Sequence, residues 1–247
     1  MEEVRHSRFK GAPWYSEELV NNSTLIGGAG GIGSWLSFFL YKIGVGVKIV
    51  DTDRLEEHNL GGQLMSGHNI GHYKVDAIRH MISLTEGVNY VPRFQPTKAW
   101  ITSDFMCGGY EHVFSGFDNM AARKNLFSSW LKANLNFDDD IAEYIPKEDK
   151  KPIFIDGRLE MEQIQIFAIT TNEQISEYER DHLFDDVEVE EAACTMKQTS
   201  HTAAMIGAKM TAIYTNFLSN INTGANSRTV PFYYEEFTPA LLNTVEI

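Results

Sequence analysis

The chain changes its hydrophobic period block by block. Leu25 and Ile26 lead into a glycine-rich turn, and residues 32–43 beyond it are apolar on most faces, as a helix packed on a parallel sheet requires. Residues 45–50 read as the next strand. Helical spacing returns in 73–84, through Val75, Ile78, Met81 and Ile82, and in 119–134, through Ala122, Leu126, Trp130 and Leu131. Between these helices, 112–117 is a short buried strand that delivers Asp118 at its carboxyl end, where open α/β sheets bind ligands. Residues 153–158 resume as a strand. In 162–170, Ile164, Ile166 and Ala168 alternate with Gln163 and Gln165, which predicts a half-exposed strand at the antiparallel end of a mixed sheet. A long helix is expected from about residue 200 to 218.

Three stretches break the pattern. Residues 136–151 are charged and read as a solvated loop, and 172–191 are strongly acidic and read as a surface connection ending just before Cys194. The tail from about 221 carries Phe232, Tyr233, Tyr234 and Phe237, aromatic enough to dock rather than float. No repeat or low-complexity segment interrupts the chain. The predicted fold is α/β: a doubly wound, mostly parallel sheet extended by antiparallel strands, in a single domain spanning 1–247.

Composition narrows the function classes. A chain of 247 residues can bury a sizeable core in one α/β domain, and two domains are possible but not demanded. With 21 basic against 34 acidic residues the net charge is −13, which disfavours nucleic-acid phosphates and favours a basic or neutral protein partner. No apolar run has the length of a membrane span, and the amino terminus lacks a secretion pattern, so a cytoplasmic location is expected. Cys107 and Cys194 are too few for a disulfide framework, which agrees with a reducing compartment.

The candidate chemistry starts at Gly28, Gly30 and Gly33, spaced as G-x-G-x-x-G with Gly31 between them. Missing side chains there permit a tight turn and close backbone approach to phosphate, which then faces the amides of a helix N-terminus. Asp51 and Asp53 follow about 20 residues on, where a ribose hydroxyl is held in such sites. This much suits a Rossmann dehydrogenase using NAD. The next segments are Asn59-Leu60-Gly61-Gly62-Gln63, Ile70-Gly71-His72-Tyr73-Lys74 and Asp118-Asn119-Met120-Ala121-Ala122-Arg123. In this order, and with Arg5-His6-Ser7-Arg8 ahead of them, the chain resembles the ThiF/MoeB and ubiquitin-activating (E1-like) enzyme family over roughly residues 5–220.

The resemblance implies an ATP-dependent adenylyltransferase acting on the C-terminal carboxylate of a small ubiquitin-like or sulfur-carrier protein. Asp51, with Asp53 close by, would hold the ribose. Asn59 and Gln63 would line the nucleotide site, Lys74 would reach the phosphates, Asp118 would ligate Mg²⁺, and Asn119 would sit beside it. Arg8 would reach the triphosphate of the other subunit of a homodimer. Cys194, close to a helix start and to Lys197, would receive the activated carbonyl as a thioester, with His201 as a possible assistant; a buried, inert thiol is the alternative for it. Cys107 reads as structural.

Two departures stand out. Gly62 replaces the family arginine of N-L-x-R-Q, so one guanidinium is missing from the phosphates, and His58, His68, His72 or a residue of the partner are the substitutes available. The cysteine pairs that hold zinc in many relatives are absent, and no structural zinc is expected. Gly62 keeps a second reading open, a catalytically weak scaffold that binds nucleotide or partner. A dehydrogenase is the third, but it leaves Lys74, Asp118 and Arg8 without a role.

Overall fold

The computed structural model describes residues 6–16, 23–89, 91–147, 150–160, 162–184 and 199–238. In chain order it runs β1 (Ser23–Gly27), α1 (Gly31–Lys42), β2 (Gly46–Val50), α2 (Lys74–Glu86), β3 (Phe94–Thr97), β4 (His112–Ser115) and α3 (Met120–Asn134). A hairpin of β5 (Leu135–Asp138) and β6 (Glu143–Pro146) follows, then β7 (Ile153–Glu160), β8 (Gln163–Ile169), α4 (Asn172–Glu177), α5 (Ser200–Thr223) and β9 (Tyr233–Phe237). Seven strands form one sheet in the order β3-β2-β1-β4-β7-β8-β9. The first five are parallel, whereas β8 and β9 pair antiparallel. The fold is therefore the expected doubly wound α/β sheet with an antiparallel extension.

Strand alternation divides the core between the two faces of the sheet. Ile26, Ile49 and Ile155 point to the face covered by α1, α2 and α5, through Leu36, Leu40, Ile78, Ile206 and Tyr214. Leu25, Val50 and Phe154 point to the other, covered by α3 and the turn after α4, through Phe127, Trp130 and Tyr178. α1 and α5 pack closely because Gly207 has no Cβ; one built there would lie 3.0 Å from the Leu36 amide nitrogen. The chain crosses from one face to the other between β1 and β4, and the crevice outside their carboxyl ends is the ligand-binding position of such sheets.

Four expectations need correction. Residues 136–147 are mostly exposed, as expected, but they form a hairpin and not a loop: β5 and β6 pair Phe137 with Tyr144 in cross-strand aromatic contact at 5.0 Å, a pairing that the surrounding charges obscured. β8 lies in the antiparallel end of the sheet, as expected, but it is not half-exposed, because the aromatic tail adds β9 beside it and four successive residues from Ile166 to Ile169 are buried. The start of the acidic stretch is α4, with Thr171 and Gln174 as a capping box, continued by a π turn, Tyr178–His182, whose Tyr178 is fully buried. The last helix runs one turn past 218, to Thr223, and stops at Gly224 in the left-handed region, φ +65°.

One core group makes stability pH-dependent. His112, 3% exposed, donates from Nε2 to the Lys151 carbonyl and accepts at Nδ1 from the Tyr214 hydroxyl at 2.7 Å. Burial drives its pKa down from 6.5 to about 4. The folded chain then binds fewer protons than the unfolded chain between these limits, so this contribution is complete above pH ~6.5 and is lost as the pH falls toward 4, by ~3 kcal/mol. Denaturant titrations across that range are expected to show the loss in wild type and a flatter slope in His112→Gln. Equal slopes would clear His112 of the effect.

Candidate functional site

β1 ends at Gly27, and the chain turns at Gly28 with φ +90°, its amide bonded to the Val50 carbonyl at 3.0 Å. A Cβ on Gly33 would sit 1.9 Å from the Gly28 carbonyl oxygen, so only glycine lets α1 start this close to the strand end. Gly30, by contrast, has open space where its Cβ would be, and no side chain caps α1. The first-turn amides of the helix thus lack a side-chain cap beside open space at Gly30, an arrangement that can accept an anion.

Asp51 closes the next side. Its Oδ2 accepts the Ala29 amide at 2.7 Å and its Oδ1 accepts the Asp53 amide at 2.6 Å, tying the end of β2 to the glycine loop. Burial raises its carboxyl above the usual value, against the lowering effect of those two bonds. Lys74, the first residue of α2, is nearly buried, and its Nζ pairs with Asp53 Oδ2 at 2.8 Å. Asp53 therefore enters the site as the partner of Lys74.

Residues 59–64 are stitched onto α1. Ser34 Oγ accepts the Leu64 amide at 3.0 Å, and the Gly62 carbonyl accepts the Trp35 indole N–H at 3.3 Å. Asn59 Oδ1 accepts the Glu56 amide at 2.9 Å, capping a 3-10 turn, Glu57–Gly61. Gln63 Oε1 is buried with no hydrogen-bond partner among the described residues. A buried amide oxygen without a donor is costly, and a ligand donor would relieve it.

Asp118 follows β4 and is exposed, touched at Oδ1 by Asn119 Nδ2 at 3.4 Å. Asn119 caps α3 by accepting the Ala122 amide at 2.8 Å. Arg8 is not brought to this site within the chain: it is exposed in the turn Ser7–Phe9, which His6 anchors by stacking on Phe9 and lying against Gly44, at the carboxyl end of α1. Cys107 is buried, its thiol pushed up to about 11 by burial, so it is a core residue. Cys194 and Lys197 lie outside the described residues. His201 is exposed in the first turn of α5, in contact with Thr199 Oγ1 at 3.0 Å.

Sequence reasoning missed the most buried charges. Asp156, at 0% exposure in β7, receives Arg123 Nε at 2.7 Å on Oδ1, and Arg158 Nε at 2.8 Å with the Tyr178 hydroxyl at 2.9 Å on Oδ2. Burial alone would raise this carboxyl; the two guanidiniums outweigh it and hold it below the usual range. The second arm of Arg123 donates to the Phe117 carbonyl at 2.6 Å, one residue before Asp118. Two signals were available: Arg123 in the motif, and a carboxylate in the middle of the apolar run 153–158. Among the described residues no group of three or more His, Cys, Asp or Glu side chains is placed to hold a metal ion, and no helix is long and apolar enough to cross a membrane.

The chain is similar to known proteins. The chain is 36% identical over 104 residues to the adenylyltransferase and sulfurtransferase uba4 of Aspergillus fumigatus, covering 40% of this chain and 20% of that protein. It is 29% identical over 115 residues to the tRNA threonylcarbamoyladenosine dehydratase of Haemophilus influenzae, covering 44% of this chain and 43% of that one. The chain thus aligns with less than half the length of either relative. The fold matches E. coli MccB, solved with AMPCPP and MccA, at a TM-score of 0.55 and 15% identity, over 83% of this chain and 57% of MccB. Residues 9–240 match the model of the ThiF family, and that span holds every motif described above except the Arg8 arm; the chain belongs to the ThiF family.

Proposed function

We propose that the chain catalyses ATP-dependent adenylation of the C-terminal carboxylate of a small ubiquitin-like or sulfur-carrier protein. A carboxylate oxygen attacks the α-phosphorus, the bond between the α- and β-phosphates breaks, and pyrophosphate leaves, giving an acyl-adenylate. Both reactants are anionic, so the reaction needs positioned donors and cations more than a base. The observation that carries this reading is the convergence of an uncapped α1, Asp51, Lys74 and Asp118 at the topological crossover of the sheet. The buried Gln63 Oε1 in the same region supports it. So do the family and the name of the uba4 relative.

The residues present fit Mg²⁺ carried by nucleotide. That ion takes one or two carboxylates, completing its shell with phosphate oxygens and water, and Asp118 offers one exposed carboxylate of this kind. The second relative is named for a tRNA nucleoside. A net charge of −13 argues against so phosphate-rich a substrate here and for a protein. Gly62 favours the scaffold reading as the alternative. Thermal shifts separate the classes: ATP with Mg²⁺ is expected to raise the melting temperature, and NAD to leave it unchanged. Stabilisation by NAD alone would overturn the proposal.

We further propose a homodimer in which Arg8 serves the partner's site, since its turn lies at the far end of α1 from its own glycine loop. Sedimentation as a monomer at micromolar concentration would count against it. Cys194 is proposed to take the acyl group as a thioester, its thiolate attacking the carbonyl and AMP leaving. A non-reducing gel after incubation with ATP and the small protein is expected to show a reducible adduct in wild type. An adduct that persists in Cys194→Ala would rule that cysteine out.

A further inference from the structure

We propose that Asp156 is a positioning residue of the adenylation site, acting through Arg123 to fix the backbone that presents Asp118; this rests on the adenylation reading. The chain of contacts is short. Asp156 holds one arm of the Arg123 guanidinium at 2.7 Å, and the other arm holds the Phe117 carbonyl at 2.6 Å. Phe117 is held a second time by its ring, which packs so tightly on β1 that a Cβ on Gly27 would come within 2.5 Å of Cε2. Gly116 before it donates to the Gly27 carbonyl at 2.9 Å, and Asn119 beyond is fixed as the cap of α3. Asp118 thus stands exposed between neighbours that are clamped on both sides.

The chemistry requires an arginine and a fixed counter-charge. A planar guanidinium can bond two acceptors along set directions, which a lysine ammonium on a flexible stem cannot do. Arg123 is only 6% exposed, so its charge needs a buried partner, and Asp156 is that partner. Asp156 cannot swing away because Arg158 and Tyr178 hold its other oxygen. Outer groups that orient a metal-ligating carboxylate govern metal affinity even though they never touch the ion.

The test uses the full chain and four proteins: wild type, Arg123→Lys, Asp156→Asn and Tyr178→Phe. Arg123→Lys keeps the charge beside Asp156 and gives up the second arm; Tyr178→Phe removes a contact on the far oxygen and leaves Arg123 in place. Without nucleotide, hydrogen exchange is expected to quicken at residues 117–120 in Arg123→Lys and Asp156→Asn and not in Tyr178→Phe. With the analogue AMPCPP, thermal-shift titration with Mg²⁺ is expected to give a half-saturation about tenfold higher in those two variants and within about twofold of wild type in Tyr178→Phe. If Asp156→Asn does not fold, Arg123→Lys carries the test alone. Wild-type exchange and Mg²⁺ response in Arg123→Lys would overturn this inference and leave adenylation standing. A wild type that gives no response to AMPCPP with Mg²⁺ would overturn both.

Discussion

Asp118→Ala is expected to lower ATP–pyrophosphate exchange, measured with the small-protein substrate, by ~10²–10³-fold, or ~3–4 kcal/mol of barrier. Asp118 is exposed, and its one described contact is with its neighbour Asn119 at 3.4 Å, so its loss should change stability by less than ~0.5 kcal/mol. A fall in rate without a fall in melting temperature would therefore report chemistry. Lys74→Ala is the less clean companion, because Lys74 is nearly buried and pairs with Asp53, and its removal mixes lost phosphate contact with lost packing. Equal exchange in wild type and Asp118→Ala would remove Asp118 from the mechanism. No exchange in either, with ATP still stabilising the fold, would favour the scaffold reading that Gly62 suggests.

How much of this could be read in advance depended on the range of the interaction involved. The glycine loop, the helices at 32–43, 73–84 and 119–134 and the buried strands announced themselves through local spacing, and the structure places all of them within a few residues of expectation. The β5–β6 hairpin and β9 did not, because each is defined by the strand it pairs with. Composition misled at 172–184: Glu173, Glu177, Glu179 and Asp181 suggested a solvated connection, while Ile175 and Tyr178 decide the structure by packing under the sheet. In the candidate site, the spacing of Asp51 from the glycine loop was legible because it is local, whereas its bond to the Ala29 amide was not expected. The ion pair of Arg123 was not legible, because Arg123 is in helix α3 and its partner Asp156 lies 33 residues away on β7.

That pair also carries a large expected stability effect. Asp156→Ala leaves Arg123 and Arg158, 6% and 14% exposed, as two buried like charges with no carboxylate between them. Removing one member of a buried ion pair costs ~3–5 kcal/mol, which for a chain of this size lowers the melting temperature by ~10 °C. The cost of breaking the network is not a measure of what the network contributes, since apolar residues of similar volume often serve stability equally well. A quadruple variant, Arg123→Met, Asp156→Leu, Arg158→Met and Tyr178→Phe, is accordingly expected to recover at least half of the loss. The Phe117 and His182 carbonyls, left without their guanidinium donors, account for the remainder. The same variant is expected to keep the roughly tenfold higher Mg²⁺ half-saturation of Arg123→Lys, because nothing in it replaces the guanidinium bond to the Phe117 carbonyl. Stability regained without the wild-type Mg²⁺ response would show that the buried charges are kept to place Asp118. A quadruple variant no more stable than Asp156→Ala would show instead that they are kept to hold β7, α3 and the Tyr178–His182 turn together.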